Sequence, residues 1–386
     1  MNLELSPSPA IAAKAEVELR TWFLDRALPL WSRYGVDHVN AGFFEKLDYS
    51  LSPIVEPRRS RLVSRQIYFF AVGKSLGWHG PADALVDQGL RFLRDHLVSS
   101  GGQVRASCDP HGSVIDERQH LYDVAFVLVA LAKLAMRDPS CAEPEILARC
   151  IMTGLNSHPL GGYVDEIAPE LQCANPHMHL FEAFLAWSSV QSADQLFWRE
   201  RAASIAQLAL ERLINTQTGL LPEYFDRAWC PVQQGVSQRI EPGHQFEWSW
   251  LLARWSLLVG DATATAAAAK LCSVAENCGV DSSRDVAIEL IDERLLPSDR
   301  TARLWQQTER LKAWHLQWLL TAAPEAYCYR NRALISLLHF MSGPRPGLWF
   351  DEMDSTGQFV SQPVKASSGY HIACAIEVLS DSLYSS

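Results

Sequence analysis

The chain has 386 residues, 48% apolar and 20% charged, with a net charge of −10 and a pI near 5.7. That profile belongs to a globular protein with a substantial core, and it excludes the basic footprint that nucleic acid or an anionic membrane surface requires. A small neutral substrate fits it best.

The opening stretch, MNLELSPSPAIAAKAEVELR, has acids and prolines where a signal peptide needs basic and then apolar residues. Nine cysteines, an odd number without C-x-x-C spacing, read as reduced thiols rather than a disulfide framework or a zinc site. Both features point to a cytoplasmic protein. Helical periodicity starts at 15–31 and returns at 66–78, 81–98, 120–137, 179–190 and 198–214. The segment 261–279 is rich in alanine, the best helix former, and stops at Gly279. The most apolar segment, 123–136, is too short to span a bilayer and carries Lys133.

A recurring phrase punctuates these helices. It reads GFFEKLD at 42, GGQVRASCD at 101, GGYVDE at 161, GLLPEYFD at 219 and GLWFDEMD at 347, with a weaker copy, GVDSSRDVAIELID, at 279. Each opens on Gly, runs through extended apolar residues and ends in an acid. The first glycines stand 59, 60, 58, 60 and 68 residues apart, which divides the chain into six units of about two helices each. Six helical hairpins can stack as an open solenoid or close into a ring, and a solenoid needs polar end caps. The first and last units are as apolar as the middle ones. The expected fold is therefore an all-α (α/α)6 barrel in one domain, 1–386, with the extended phrases on one rim.

Polar residues inside the apolar helices are the candidates for chemistry. In EPGHQFEWSWLL (241–252), His244 and Glu247 share a helix face, and Phe246, Trp248 and Leu251 argue against that face being solvated. In ANPHMHLFEAFLAW (174–187), Asn175 suits a helix cap, and His177 and His179 point apart on a helix, which disfavours a metal. His179 and Glu182 repeat the spacing of His244 and Glu247. Arg65 interrupts the apolar run SRLVSRQIYFFAVG (60–73), His371 opens the last apolar helix, and Trp305, Gln307 and Glu309 open the helix at 304–320. The GKS at 73–75 is no phosphate loop, since Tyr68 stands where its leading Gly belongs. Proton transfer by histidine is the natural chemistry of such a set.

These phrases, GFFEKLD, SRQIYFFAVG, LYDVAFVLVALA, NPHMHLFEA, EPGHQFEWSWLL, LWQQTERLKAW, GLWFDEMDSTG and SSGYHIACA, resemble the N-acylglucosamine 2-epimerase superfamily in order and across nearly the whole chain. Within it they are most similar to the mannose isomerase branch of aldose–ketose isomerases. The resemblance implies the same (α/α)6 barrel and a catalytic pair, His244 and His371, with His371 as the base. It implies that Arg65 holds the sugar oxygens near the reacting carbons and that Tyr122, Asn175 and His179 contact hydroxyls. Glu247 would orient or tune its neighbouring histidine, and Trp305 and Trp349 would wall the sugar ring. No metal or other cofactor is needed, the partner is a monosaccharide, and a homodimer is expected. Three other readings stay open: a 2-epimerase acting on N-acetylglucosamine or another free sugar, a glycoside hydrolase or lyase on the same barrel, and a non-enzymatic interaction protein. For the hydrolase, Glu45, Asp48, Glu223 and Asp226 supply carboxylates, but their repetition suggests a role in turns.

Overall fold

The computed structural model describes residues 8–191, 193–233 and 238–380. Its helices, in chain order, are α1 (Pro9–Trp22), α2 (Leu28–Tyr34), α3 (Ser60–Ser75), α4 (Ala82–Phe92), α5 (Leu121–Arg137), α6 (Glu143–Thr153), α7 (Ala174–Ser188), α8 (Gln195–Leu208), α9 (Pro242–Val259), α10 (Ala262–Gly279), α11 (Leu304–Thr321), α12 (Pro324–Phe340) and α13 (Ser368–Ser380). A wide π turn, Phe23–Ala27, joins α1 to α2, and similar turns, Leu93–Leu97 and Ala209–Leu213, extend α4 and α8. Among the described residues, no helix is long and apolar enough to cross a membrane.

Helices α3, α5, α7, α9, α11 and α13 pack each against the next, and α13 returns to α3. That closure makes a ring. Helices α4, α6, α8, α10 and α12 pack outside on the inner helix that precedes each, and α1 covers the seam against α12 and α13. The architecture is the (α/α)6 barrel that the repeat predicts. An inner helix is covered by two inner neighbours and an outer helix, so it is apolar nearly all round. On α9, Phe246, Trp248, Trp250, Leu251 and Leu252 are all buried although they point in different directions. The high tryptophan count mostly serves this core: Trp31, Trp187, Trp198, Trp248, Trp250 and Trp349 are among its largest fully buried side chains.

Local chemistry sets the connections. Helix α9 starts with Pro242 in its first turn and ends at Gly260, whose φ of 76° breaks the helix. Asp261 follows at once and caps α10 by accepting from the amides of Thr263 and Ala264. The Gly–apolar–acid phrases form the opposite rim, between each outer helix and the next inner one. Gly102 and Gly347 have φ of 85° and 96°, and a Cβ at either would meet the backbone of Cys150 or Arg26 at 2.7 and 2.5 Å. The closing acids are turn builders: Asp48, Asp109, Asp226, Asp292 and Asp354 each accept from the amides two and four residues ahead. Short antiparallel pairings knit neighbouring phrases together, Lys46–Leu47 with Val364–Lys365 closing the first unit on the last. Every inner helix therefore begins at this rim.

Candidate active site

The starts of the inner helices surround a cavity of about 250 Å³. It is lined by Arg65 of α3, Tyr122 of α5, Asn175 and His179 of α7, His244 and Glu247 of α9, Trp305 of α11 and His371 of α13. Eight of the nine residues to which the resemblance gives a role thus meet in one place. A larger cavity of about 450 Å³ opens at the other end of the ring, mostly between aliphatic side chains such as Val129, Leu185, Leu257 and Leu319. It lacks the histidine pair, so the rim of repeated phrases is the candidate catalytic mouth.

Trp349 is the exception. It is 1% exposed and stacks on Trp31 with centroids 5.0 Å apart. Its indole N–H donates to Asp351 Oδ1 at 3.3 Å. It is a core residue that supports Asp351, itself on the cavity wall, and cannot wall a sugar ring. The phrase GLWFDEMD places its aromatic residue beneath the rim.

Trp305 lies between the two histidines. Its ring centroid is 4.9 Å from that of His244 and 5.9 Å from that of His371. Gly243 allows this approach, since a Cβ there would meet the indole at 2.6 Å. The two imidazoles sit in opposite electrostatic settings. His244 Nδ1 lies 2.9 Å from Glu223 Oε1 and 3.5 Å from Glu241 Oε2, close ion-pair contacts rather than aligned hydrogen bonds. Burial disfavours its charge, but Glu223, Glu241 and Glu247 outweigh that and hold its pKa well above the usual histidine value. For His371, burial and the nearby cations Arg65 and Lys312 act together and push the pKa well below that value. His371 Nδ1 is 2.9 Å from Glu309 Oε1, a contact that, while Glu309 is ionised, places the proton on this nitrogen and leaves the Nε2 lone pair free.

Glu247 helps to raise the His244 pKa but does not contact it, so its part in the expected pairing is electrostatic only. The carboxylate at His244 is Glu223, from the phrase GLLPEYFD, which sequence repetition had suggested to be only a turn residue. Asp48 and Asp226 do serve turns, whereas Glu223 and Glu45 are buried and paired with His244 and Arg59. Glu309, on the next helix face, holds His371. Glu247 instead stands 3.7 Å from His179 Nδ1, and neither of its buried carboxyl oxygens has a hydrogen-bond partner. Burial and the carboxylates Glu309 and Glu182 push its pKa well above the usual range. His179 Nδ1 also meets Glu182 Oε2 at 3.2 Å, the i, i+3 pair seen in the sequence. Burial lowers the His179 pKa to about 4.

Arg65 donates to the Tyr122 hydroxyl at 2.7 Å, and its guanidinium lies 3.8 Å over the Phe126 ring. Its Nε is buried without a partner, as is Asn175 Oδ1. Asn175 is not the cap expected from the sequence: Cys173 is, and Asn175 occupies the second position of α7. His177 points away from the cavity, with its ring bonded to the Cys173 carbonyl and the Tyr163 amide at 2.8 and 3.0 Å. Unpartnered polar atoms facing a cavity, beside imidazoles held in opposite charge states, suit a polyhydroxylated substrate that exchanges protons.

A model of the N-acylglucosamine 2-epimerase family matches residues 42–375. A Rhizobium meliloti (strain 1021) protein named mannose-6-phosphate isomerase is 38% identical over 380 residues, covering 95% of this chain and 97% of its own length. A Thermobifida fusca D-mannose isomerase is 30% identical over 307 residues, 72% of each chain. A crystal structure of D-mannose isomerase superposes with a TM-score of 0.86 at 20% identity, covering 97% of this chain and all of the other, and shares the fold. With the family model spanning most of the barrel, the chain belongs to the N-acylglucosamine 2-epimerase family.

Proposed function

We propose that the protein is an aldose–ketose isomerase that interconverts mannose and fructose or a closely similar pair. The observation that carries this is the pair of imidazoles around Trp305, one cationic and one neutral, with the neutral ring presenting Nε2. An acid and a base whose pKa values are pushed apart beside one cavity are what an enediolate mechanism needs.

In the open-chain aldose, His371 Nε2 takes the C2 proton. The electron pair of that C–H bond forms the C1–C2 double bond, and the C1 carbonyl electrons move onto O1. The charge on O1 is met by the His244 imidazolium and the Arg65 guanidinium in a site from which water is largely excluded. His371 then returns the proton to C1, His244 gives a proton to O1 and takes one from O2, and C2 becomes the carbonyl of the ketose. Return to C2 from the other face would give the epimer instead. Asn175, His179 and Glu247 hold hydroxyls through their free polar atoms. The reaction consumes no metal or cofactor.

A panel of mannose, glucose, N-acetylglucosamine and mannose 6-phosphate in deuterium oxide tests the reading. The phosphorylated sugar belongs in it because Arg303 and Lys365 line the cavity and a relative carries that sugar in its name. The expected result is fructose from mannose with deuterium incorporation, unchanged by a chelator. Formation of only a C2 epimer would replace the isomerase with a 2-epimerase, and no exchange with any sugar would reject both. The net charge of −10 supports a small-molecule substrate over nucleic acid. A homodimer in the cytoplasm completes the proposal, with light scattering testing the dimer.

A further inference from the structure

Beneath the cavity, three carboxyl groups and one ammonium group are buried together. Glu182, Glu247 and Glu309 come from α7, α9 and α11, and Lys312 lies one turn after Glu309. Lys312 is 0% exposed, and its Nζ is 2.6 Å from Glu309 Oε2. The same Nζ lies 3.6 Å from Cys374 Sγ and 3.7 Å from the centre of the Trp250 ring. Lys312 is not among the residues that line the cavity, so it does not reach substrate. A lysine in the wall of a barrel with no access to water or ligand needs another reason to be there.

The geometry supplies one. Glu309 has two oxygens and three partners: Oε2 makes an ion-pair contact with Lys312, and Oε1 accepts from Thr308 Oγ1 at 3.2 Å and faces His371 Nδ1 at 2.9 Å. We propose that Lys312 is a positioning residue for the proton transfer, fixing Glu309 as an oriented carboxylate so that His371 keeps its proton on Nδ1 and presents Nε2 as the base. This rests on the isomerase reading above and extends it to a residue that never meets the sugar. The chain Lys312–Glu309–His371 orients the imidazole as a buried carboxylate does in hydrolase triads, with the ammonium adding what keeps the carboxylate ionised.

The charge balance points the same way. The groups facing these residues are Arg65 on α3, His179 and Glu182 on α7, His244 and Glu247 on α9, and Cys374 on α13, with the Tyr370 ring against His371. Burial and the neighbouring Glu182 raise the proton affinity of Glu309, and Lys312 is the main influence against it. Burial also opposes the charge on Lys312, yet Cys374 and the surrounding carboxylates hold its pKa above the usual lysine value. Without the ammonium, Glu309 takes up a proton more readily. It then no longer requires a donor at Nδ1, and the proton of His371 is free to sit on Nε2, where it blocks the base.

Lys312→Met tests this. The active form needs Glu309 ionised and His371 neutral, and loss of the ammonium raises both pKa values. The acid limb of the C2 exchange profile therefore moves up by about one unit or more. At neutral pH kcat falls by about tenfold, while KM stays near wild type. Loss of packing alone would lower the rate equally at every pH, and that result, or a wild-type profile, overturns the proposal. Should Lys312→Met fail to fold, Glu309→Gln is compared with Glu309→Gln/Lys312→Met, in which the buried charge pair is removed together. With no carboxylate at 309 for the ammonium to fix, the double variant must show the same His371 tautomer as Glu309→Gln, and a different tautomer between them overturns the proposal. The ¹⁵N shifts of His371 read its tautomer without any sugar, so they test Lys312 even if the isomerase reading fails. The Nδ1–H form is expected in the wild type and a mixed population in Lys312→Met; the same tautomer in both would refute the role.

Discussion

Replacing Glu223 by Gln removes the carboxylate nearest His244 and keeps its size. In the native site Glu223 Oε1 is 2.9 Å from His244 Nδ1, with Glu241 next at 3.5 Å. At 2.9 Å the gross attraction is about 6 kcal/mol for an effective dielectric near 20, and desolvation of two buried groups offsets much of it. Carboxylates at such range shift a partner by about 1–3 pK units, equivalent to about 1.4–4 kcal/mol. The direction is fixed by the site: burial would lower the His244 pKa, and Glu223 is the largest influence that raises it. Glu223→Gln must therefore bring the alkaline limb of the rate profile down, because His244 acts as the cation. The assay is mannose C2-proton exchange in deuterium oxide, followed by NMR between pH 5.5 and 9.5, with circular dichroism to check the fold. An unmoved alkaline limb in a folded Glu223→Gln variant would show that His244 is not the charged partner, and the acid–base assignment would fall.

Trp349→Ala should lower stability by about 3–5 kcal/mol, the usual cost of emptying a buried indole site, with KM for mannose near wild type once the protein is kept folded. A large rise in KM with little change in urea midpoint would return Trp349 to the sugar wall. His177 gives a pH-dependent stability signature, since burial lowers its pKa to about 4. The unfolded chain takes up this proton near pH 6.5 and the native state does not, so the contribution is present above 6.5, declines as pH falls and is gone near 4. At pH 5 the loss is about 2 kcal/mol. Urea midpoints of wild type and His177→Gln at pH 8 and pH 5 check it: the variant should lose less stability on acidification, and parallel losses would contradict the buried neutral ring.

The repeat of glycine-led phrases carried the architecture, because a spacing near 60 residues that recurs with equal apolar content leaves few ways to bury both faces of each hairpin. The gathering of Arg65, His179, His244 and His371 around one cavity was also legible, since they are polar residues in helices that are otherwise apolar. The carboxylate partners were not. A shared helix face suggested Glu247 for His244, but the contact is made by Glu223 across the rim, through a chain reversal that periodicity does not encode. Glu223 and Asp226 sit three residues apart in one phrase, and only burial separates the site residue from the turn builder. Trp349 failed for a related reason: an aromatic residue in a rim phrase can point up to the cavity or down to Trp31, and sequence does not fix which. Lys312 was hidden as one polar residue within LWQQTERLKAW. Only its distance of 2.6 Å from Glu309 gives it meaning.

The account stands on His371 as the group that removes hydrogen from C2. His371→Asn keeps a side chain able to donate to Glu309 and removes the basic nitrogen. Mannose incubated with this variant in deuterium oxide should retain its C2 proton, with exchange reduced by about 10²–10⁴-fold while binding measured by calorimetry persists. Exchange at the wild-type rate in a folded His371→Asn protein would contradict the assignment.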